Sequence, residues 1–109
     1  MSFRYRVAGV VREAGSGRPL LDLVVRAYDE DFLSDDFLGE CRTDAEGRFA
    51  IVFTQVEFRD VIESRPDLYL IVLDANGDRA LVSTRSEVRK NAGVEERYVI
   101  EIPAQALAG

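Results

Sequence analysis

Residues 37–53 read FLGECRTDAEGRFAIVF, two period-two runs folded about a short turn. Phe37 to Thr43 is strand-like. Phe49, Ile51 and Phe53 alternate with Ala50 and Val52, which puts three large apolar side chains on one face of a second strand. Between them lies Asp44-Ala45-Glu46-Gly47, a hairpin turn in which Gly47 can supply a positive φ. Thr43 and Asp44 carry side-chain oxygens that can cap the turn, and Phe49 restarts the core face.

The same alternation extends outward in both directions. Upstream, Tyr5, Val7, Gly9 and Val11 face one way while Arg6, Ala8, Val10 and Arg12 face the other. After the turn cluster Gly15 to Pro19, Leu23, Val25 and Ala27 alternate with Val24, Arg26 and Tyr28. Downstream, Leu68 to Asp74 is apolar on both faces, as expected of a central strand. Ala75-Asn76-Gly77-Asp78 carries the Asn-Gly signal of a type I′ hairpin leading into Ala80–Thr84. Tyr98, Ile100 and Ile102 mark the last strand, closed by Pro103. One segment departs from period two: Thr54-Gln55-Val56-Glu57 has capping-box spacing, and a short helix is expected near 55–63, ended by Pro66. Seven short strands with regular turns predict an all-β fold, a seven-stranded antiparallel Greek-key sandwich forming one domain over 1–109. The expected core is Val7, Val25, Phe49, Ile51, Leu70, Val72 and Ile100.

Composition narrows the chemistry. The 109 residues carry 14 basic and 20 acidic side chains, a formal charge of −6, with no histidine and one cysteine. An acidic chain of pI near 4.6 is a poor nucleic-acid ligand. Without histidine the usual general base and the commonest metal ligand are missing, and a single cysteine forms neither an internal disulfide nor a thiolate zinc site. Cys41 is expected to be a small, half-buried strand residue. The start MSFRYRVAGVV lacks an apolar signal region and no run approaches membrane-spanning length. The expected location is therefore the cytoplasm, or outside the cell by a route that reads no N-terminal signal.

The order of these marks resembles the carboxypeptidase regulatory-like, or transthyretin-like (prealbumin-like), β-sandwich domain of bacteria. The resemblance rests on Gly9-Val10-Val11, Pro19-Leu20, Val25 to Tyr28, Leu38-Gly39, and Thr43 to Phe49, and continues through PDLYLIVLDANGD at 66–78 and Ser83-Thr84. It covers residues 5–103. It implies a sandwich that works as an adaptor, in bacterial relatives often beside toxins, secretion-machine tips and surface proteins. The enzymatic relatives of this fold do not carry over. Hydroxyisourate hydrolases need histidines and a C-terminal Tyr-Arg-Gly-Ser, where this chain ends Ala-Leu-Ala-Gly. Intradiol dioxygenases bind iron through tyrosines and histidines. No catalytic residue and no cofactor are expected.

The densest functional feature is the loop 29–40, with six acids and no base: Asp29, Glu30, Asp31, Asp35, Asp36 and Glu40. Asp29, Asp31, Asp35 and Asp36 are the calcium candidates, because calcium takes several carboxylates from a flexible loop. The stretch YDEDFLSDDFLGE is similar to the third calcium loop of C2 domains, so the rival reading is a calcium-dependent membrane or ligand binder. The bland reading, a solvated acidic loop without metal, is the expected one. Phe32, Leu33 and Phe37 sit within the loop. Loop hydrophobics generally fold back, and these are expected to plug the open end of the sandwich; if exposed, they form an apolar patch rimmed by charge. With Asp35 and Asp36 they are the partner-binding candidates. Arg79, Arg85, Arg89, Lys90 and Arg97 are expected to be a dispersed, solvated set. The expected function is a non-enzymatic adaptor that contacts a protein, or secondarily a carbohydrate, through loops or an edge strand; neither nucleic acid nor membrane is expected as partner. Oligomeric state stays open, with edge-strand pairing as one route to a dimer.

Overall fold

The computed structural model describes residues 2–56 and 65–108. Seven strands form two facing sheets: β1 (Ser2–Glu13), β2 (Val24–Asp29), β3 (Asp36–Arg42), β4 (Arg48–Val56), β5 (Leu68–Leu73), β6 (Ala80–Ser83) and β7 (Glu95–Ile102). One sheet has the order β4-β1-β7 and the other β3-β2-β5-β6. The protein is thus an all-β sandwich. β5 lies inside its sheet, as its two-sided apolar pattern requires.

The inward residues of both sheets meet in one core. Tyr5, Val7, Val11, Phe49, Ile51, Phe53, Tyr98, Ile100 and Ile102 come from the three-stranded sheet, and Val25, Ala27, Leu68, Leu70 and Val72 face them. All seven expected core residues are buried. Tyr5 and Phe53 stack with ring centroids 5.2 Å apart, a cross-strand pair set by the β1–β4 register. Cys41 is half-buried, as expected, and packs against the core.

Three details differ from expectation. β1 and β7 run parallel, with Gly9 opposite Tyr98, so the sandwich is not wholly antiparallel. The cause is the 84–94 connection. β6 returns toward the end of the sandwich where β1 begins, the chain crosses there to the other sheet, and β7 starts beside Arg6, whose N–H donates to Val94 O at 2.8 Å. The Asn76-Gly77 hairpin is present but not type I′: only Gly77 has positive φ, at 73°. Its geometry repeats that of the first hairpin, in which Gly47 has φ 74°. In both, the glycine N–H donates to the carbonyl of the aspartate three residues earlier at 2.9 Å. In both, that aspartate's Oδ1 accepts two further backbone N–H groups, of Glu46 and Arg48 or of Asp78 and Arg79. An aspartate able to satisfy three amides makes the single left-handed residue sufficient. Finally, Gln55 and Val56 belong to β4 rather than to the helix expected over 55–63, and the rest of that span lies outside the described residues. A short helix that the sequence did not signal, α1 (Ala104–Leu107), follows Pro103.

Asp44 caps the turn as expected, but Thr43 does not; its hydroxyl is used elsewhere. Its Oγ1 donates to Leu20 O at 2.6 Å and accepts the Leu23 N–H at 3.0 Å, holding the entry to β2 against the end of β3. It is the buried polar residue of the described chain, and both of its hydrogen-bonding functions are used.

Candidate functional site: the β2–β3 tip

The β2–β3 connection forms the tip of the sandwich, and its base is built by strand ends that are distant in sequence. Glu30 N donates to Asp67 O at 2.8 Å, and Asp67 N donates back to Asp29 Oδ1 at 2.8 Å. Asp67 Oδ1 in turn accepts the Asn91 N–H at 3.0 Å. Leu68 and Arg89 exchange two backbone hydrogen bonds, both 2.9 Å. The tip therefore stands on three pinned segments.

Asp35 organises the loop above them. Tyr69 Oη donates to its Oδ2 at 2.5 Å, the Asp31 N–H donates to its Oδ1 at 3.1 Å, and Arg85 Nη2 lies 3.1 Å from Oδ2. The Tyr69 hydroxyl and the Asp31 N–H, helped by Arg85, hold the Asp35 carboxyl below the usual carboxylate range. Burial and then the facing carboxylate push the Tyr69 phenol up to about 12, so it remains a donor throughout the neutral range. Arg85 also reaches Glu30 at 3.5 Å and sits over the Tyr69 ring, while Lys90 lies 3.4 Å from Glu30 and 3.7 Å from Asp67.

An aromatic row continues from this hub down the outer face of the four-stranded sheet. Tyr69 stacks on Tyr28 at 5.3 Å, and Tyr28 meets the edge of Phe37 at 5.9 Å. A register shift between Ala27 and Tyr28 places Tyr28 opposite Phe37 and leaves Leu38 as the extra residue. Such bulges re-aim side chains near binding loops. Phe37 remains 57% exposed.

Above the hub, Phe32 is 97% and Leu33 is 89% exposed. They do not plug the sandwich, contrary to expectation. The reason is local: Asp31 Oδ1 accepts the Phe32 N–H and Asp35 ties back the Asp31 N–H, a short closed loop that projects residues 32 and 33 outward. The buried side chains beneath the loop include Leu68, Pro66 and Tyr69 instead. Beside the tip is a cleft of about 380 Å³ lined by Glu30, Asp31, Phe32, Asp67, Arg85 and Lys90.

The calcium candidates have other occupations. Asp29 faces the Asp67 N–H, and burial, the largest influence, pushes its carboxyl up from the usual range. Asp35 faces Tyr69 and Arg85. Asp31 holds its neighbour's amide and Asp36 is exposed on β3. Among the described residues no three histidine, cysteine or acidic side chains converge in a group that could hold a metal ion.

The basic set is not one dispersed face. Arg85 and Lys90 serve the tip, whereas Arg89 lies over the Tyr98 ring at 3.7 Å and pairs with Glu96, and Arg79 bonds Ala106 O. Tyr28, Tyr69, Arg85 and Lys90 are the site residues that local sequence reading missed. Each reads alone as an ordinary strand or flanking residue, and Lys90 lies 60 positions from its Glu30 partner.

No protein-family model and no curated protein matches this chain. Among solved structures that resemble it is a 9R-lipoxygenase from Cyanothece PCC8801, with a TM-score of 0.64 at 19% identity. The likeness is one of fold. It covers 93% of this chain but only 16% of the lipoxygenase chain, so the sandwich corresponds to a small part of that protein. No helix among the described residues is long and apolar enough to cross a membrane.

Proposed function

We propose that this chain is a non-enzymatic recognition module of the transthyretin-like kind, with Phe32 and Leu33 as the anchors for a protein partner. One observation carries the reading: two large apolar side chains stand almost fully exposed on a loop whose base is held by Asp35, Tyr69, Arg85 and Lys90. A pre-formed loop loses little conformational freedom on docking, and exposed aromatic and aliphatic anchors are where binding energy concentrates. The surrounding Glu30, Asp31, Asp35 and Asp36 outnumber Arg85 and Lys90, so the complementary surface is an apolar pocket with a basic rim. Attachment through a toxin, secretion or surface assembly follows from the family resemblance alone.

The same exposed pair also suits insertion into a membrane, the C2-like rival. The acidic surplus at the tip opposes anionic lipid unless calcium bridges the two. A random peptide library panned on the wild-type chain, and counter-panned on a Phe32→Ser/Leu33→Ser variant, separates the readings when run beside flotation with phosphatidylserine vesicles, with and without calcium. Expected are peptides with an apolar centre flanked by Lys or Arg, losing affinity as salt rises from about 0.15 M to about 0.5 M. Calcium-dependent flotation abolished by Asp29→Asn or Asp35→Asn would establish the rival instead.

A further inference from the structure

The outer face of the β4-β1-β7 sheet holds a second surface, complementary to the tip. Ala8 of β1 stands between Ala50 of β4 and Arg97 of β7, and the two alanines leave the centre of the face without side chains beyond Cβ. The result is a trough of about 700 Å³ with Val10 and Val99 on its wall. Arg6, Arg42, Arg48 and Arg97 line it against a single acid, Asp44. Arg6, Arg42 and Arg48 have exposed ion-pair partners in Glu95, Asp22 and Asp44 with Glu46, while Arg97 has none among the described residues. Within the lining itself arginine outnumbers acid four to one, and the pairing carboxylates of Glu95, Asp22 and Glu46 lie outside it, so the trough is apolar-floored and arginine-rimmed, with Arg97 its unpaired cation among the described residues.

Resting on the tip reading above, we infer that the partner of the Phe32–Leu33 tip is the Arg-rimmed trough of a second copy of this chain, giving head-to-tail association. The two surfaces match in both respects that matter, an apolar pair within an acidic ring and an apolar floor within an arginine rim. A cavity of this size lies within the range of about 300–1,000 Å³ that encloses compact ligands, enough for two side chains. The tip cannot fill the trough of its own chain. β3 begins at Asp36 beside the tip and ends at Arg42 beside the trough, and seven strand residues span about 20 Å. A contact between two different surfaces propagates, so it produces chains or rings rather than a closed two-fold dimer.

Few side chains are buried, so association is weak, and it competes with repulsion between like-charged copies. Above about 0.15 M salt that long-range repulsion is screened over about 8 Å and the contact pairs dominate. Sedimentation velocity on the full chain, from about 10 μM to about 1 mM, reads the equilibrium directly. Expected is concentration-dependent association that weakens about tenfold between 0.15 M and 0.5 M salt. Two variants test the geometry: Phe32→Ser/Leu33→Ser removes the tip, and Ala50→Tyr/Arg97→Glu fills the trough at strand positions outside the core that tolerate both residues. Each variant alone is monomeric, and their equimolar mixture forms a one-to-one heterodimer and nothing larger. A wild-type chain that stays monomeric throughout overturns self-docking but leaves the tip reading to the peptide selection. Association that survives the tip variant, or a mixture that yields no heterodimer, overturns the head-to-tail geometry.

Discussion

Asp29 and Asp35 sit at the two ends of one short loop, yet their electrostatics are opposite because they face opposite surroundings. Asp29 is raised, chiefly by burial, so the folded state holds its proton more tightly than the unfolded chain does. Its charge therefore costs stability above its folded pKa, and that cost disappears as pH falls through the unfolded value. Asp29→Asn keeps an oxygen for the Asp67 N–H and removes the charge. Thermal melts at pH 7 should place this variant level with or above the parent, with the difference shrinking in acid; a marked loss at pH 7 would mean the charge itself is needed. Asp35 is lowered, chiefly by the Tyr69 hydroxyl. Its contribution is present above the ordinary value of about 3.9 and is lost as pH falls through the folded value. Amide exchange of residues 30–36 should be slow and flat from about pH 5 to about pH 8 after correction for intrinsic rates, and should quicken below about pH 4. Tyr69→Phe should quicken it at neutral pH, since the loop then loses its principal donor.

The hairpins and strand entries illustrate how far a one-dimensional pattern reaches. Gly47 is required twice over: φ is 74°, and a Cβ there would stand 2.3 Å from Val11 O. Gly47→Ala should cost about 2–4 kcal/mol in denaturant unfolding, combining left-handed strain with a backbone clash. Gly15, also at positive φ but with open space where a Cβ would point, is the control and should cost about 1 kcal/mol on substitution by Ala. The glycine and its aspartate were legible because a turn is a local object. All seven strands were legible for the same reason, through period two. The parallel β1–β7 pairing was not, since it depends on which end of the sandwich the 84–94 connection crosses. The projection of Phe32 and Leu33 was hidden too, because the local Asp31–Asp35 closure that produces it is steadied by Tyr69 and Arg85, residues that no spacing rule connects to Asp35.

At the scale of the molecule, the core and the proposed recognition tip draw on separate residues. Leu70 is fully buried on the central strand β5, where the two sheets meet, and Phe32 is almost wholly in water. Leu70→Ala leaves a cavity that close-packed neighbours fill only in part, so it should cost about 2–5 kcal/mol, a large share of the roughly 5–15 kcal/mol typical of a domain. Phe32→Ala removes no buried contact, and its melting temperature should match that of the parent. The same two variants should reverse their order in a binding measurement at a temperature where both are folded: Leu70→Ala retains affinity because β5 reaches the tip through Leu68 and Tyr69 rather than Leu70, whereas Phe32→Ala loses it. If Phe32→Ala melts several degrees lower, the side chain packs in solution and the tip is a plug after all. If Leu70→Ala melts with the parent, the inward register of β5 is wrong, and with it the placement of Tyr69 on the outer face beneath Asp35.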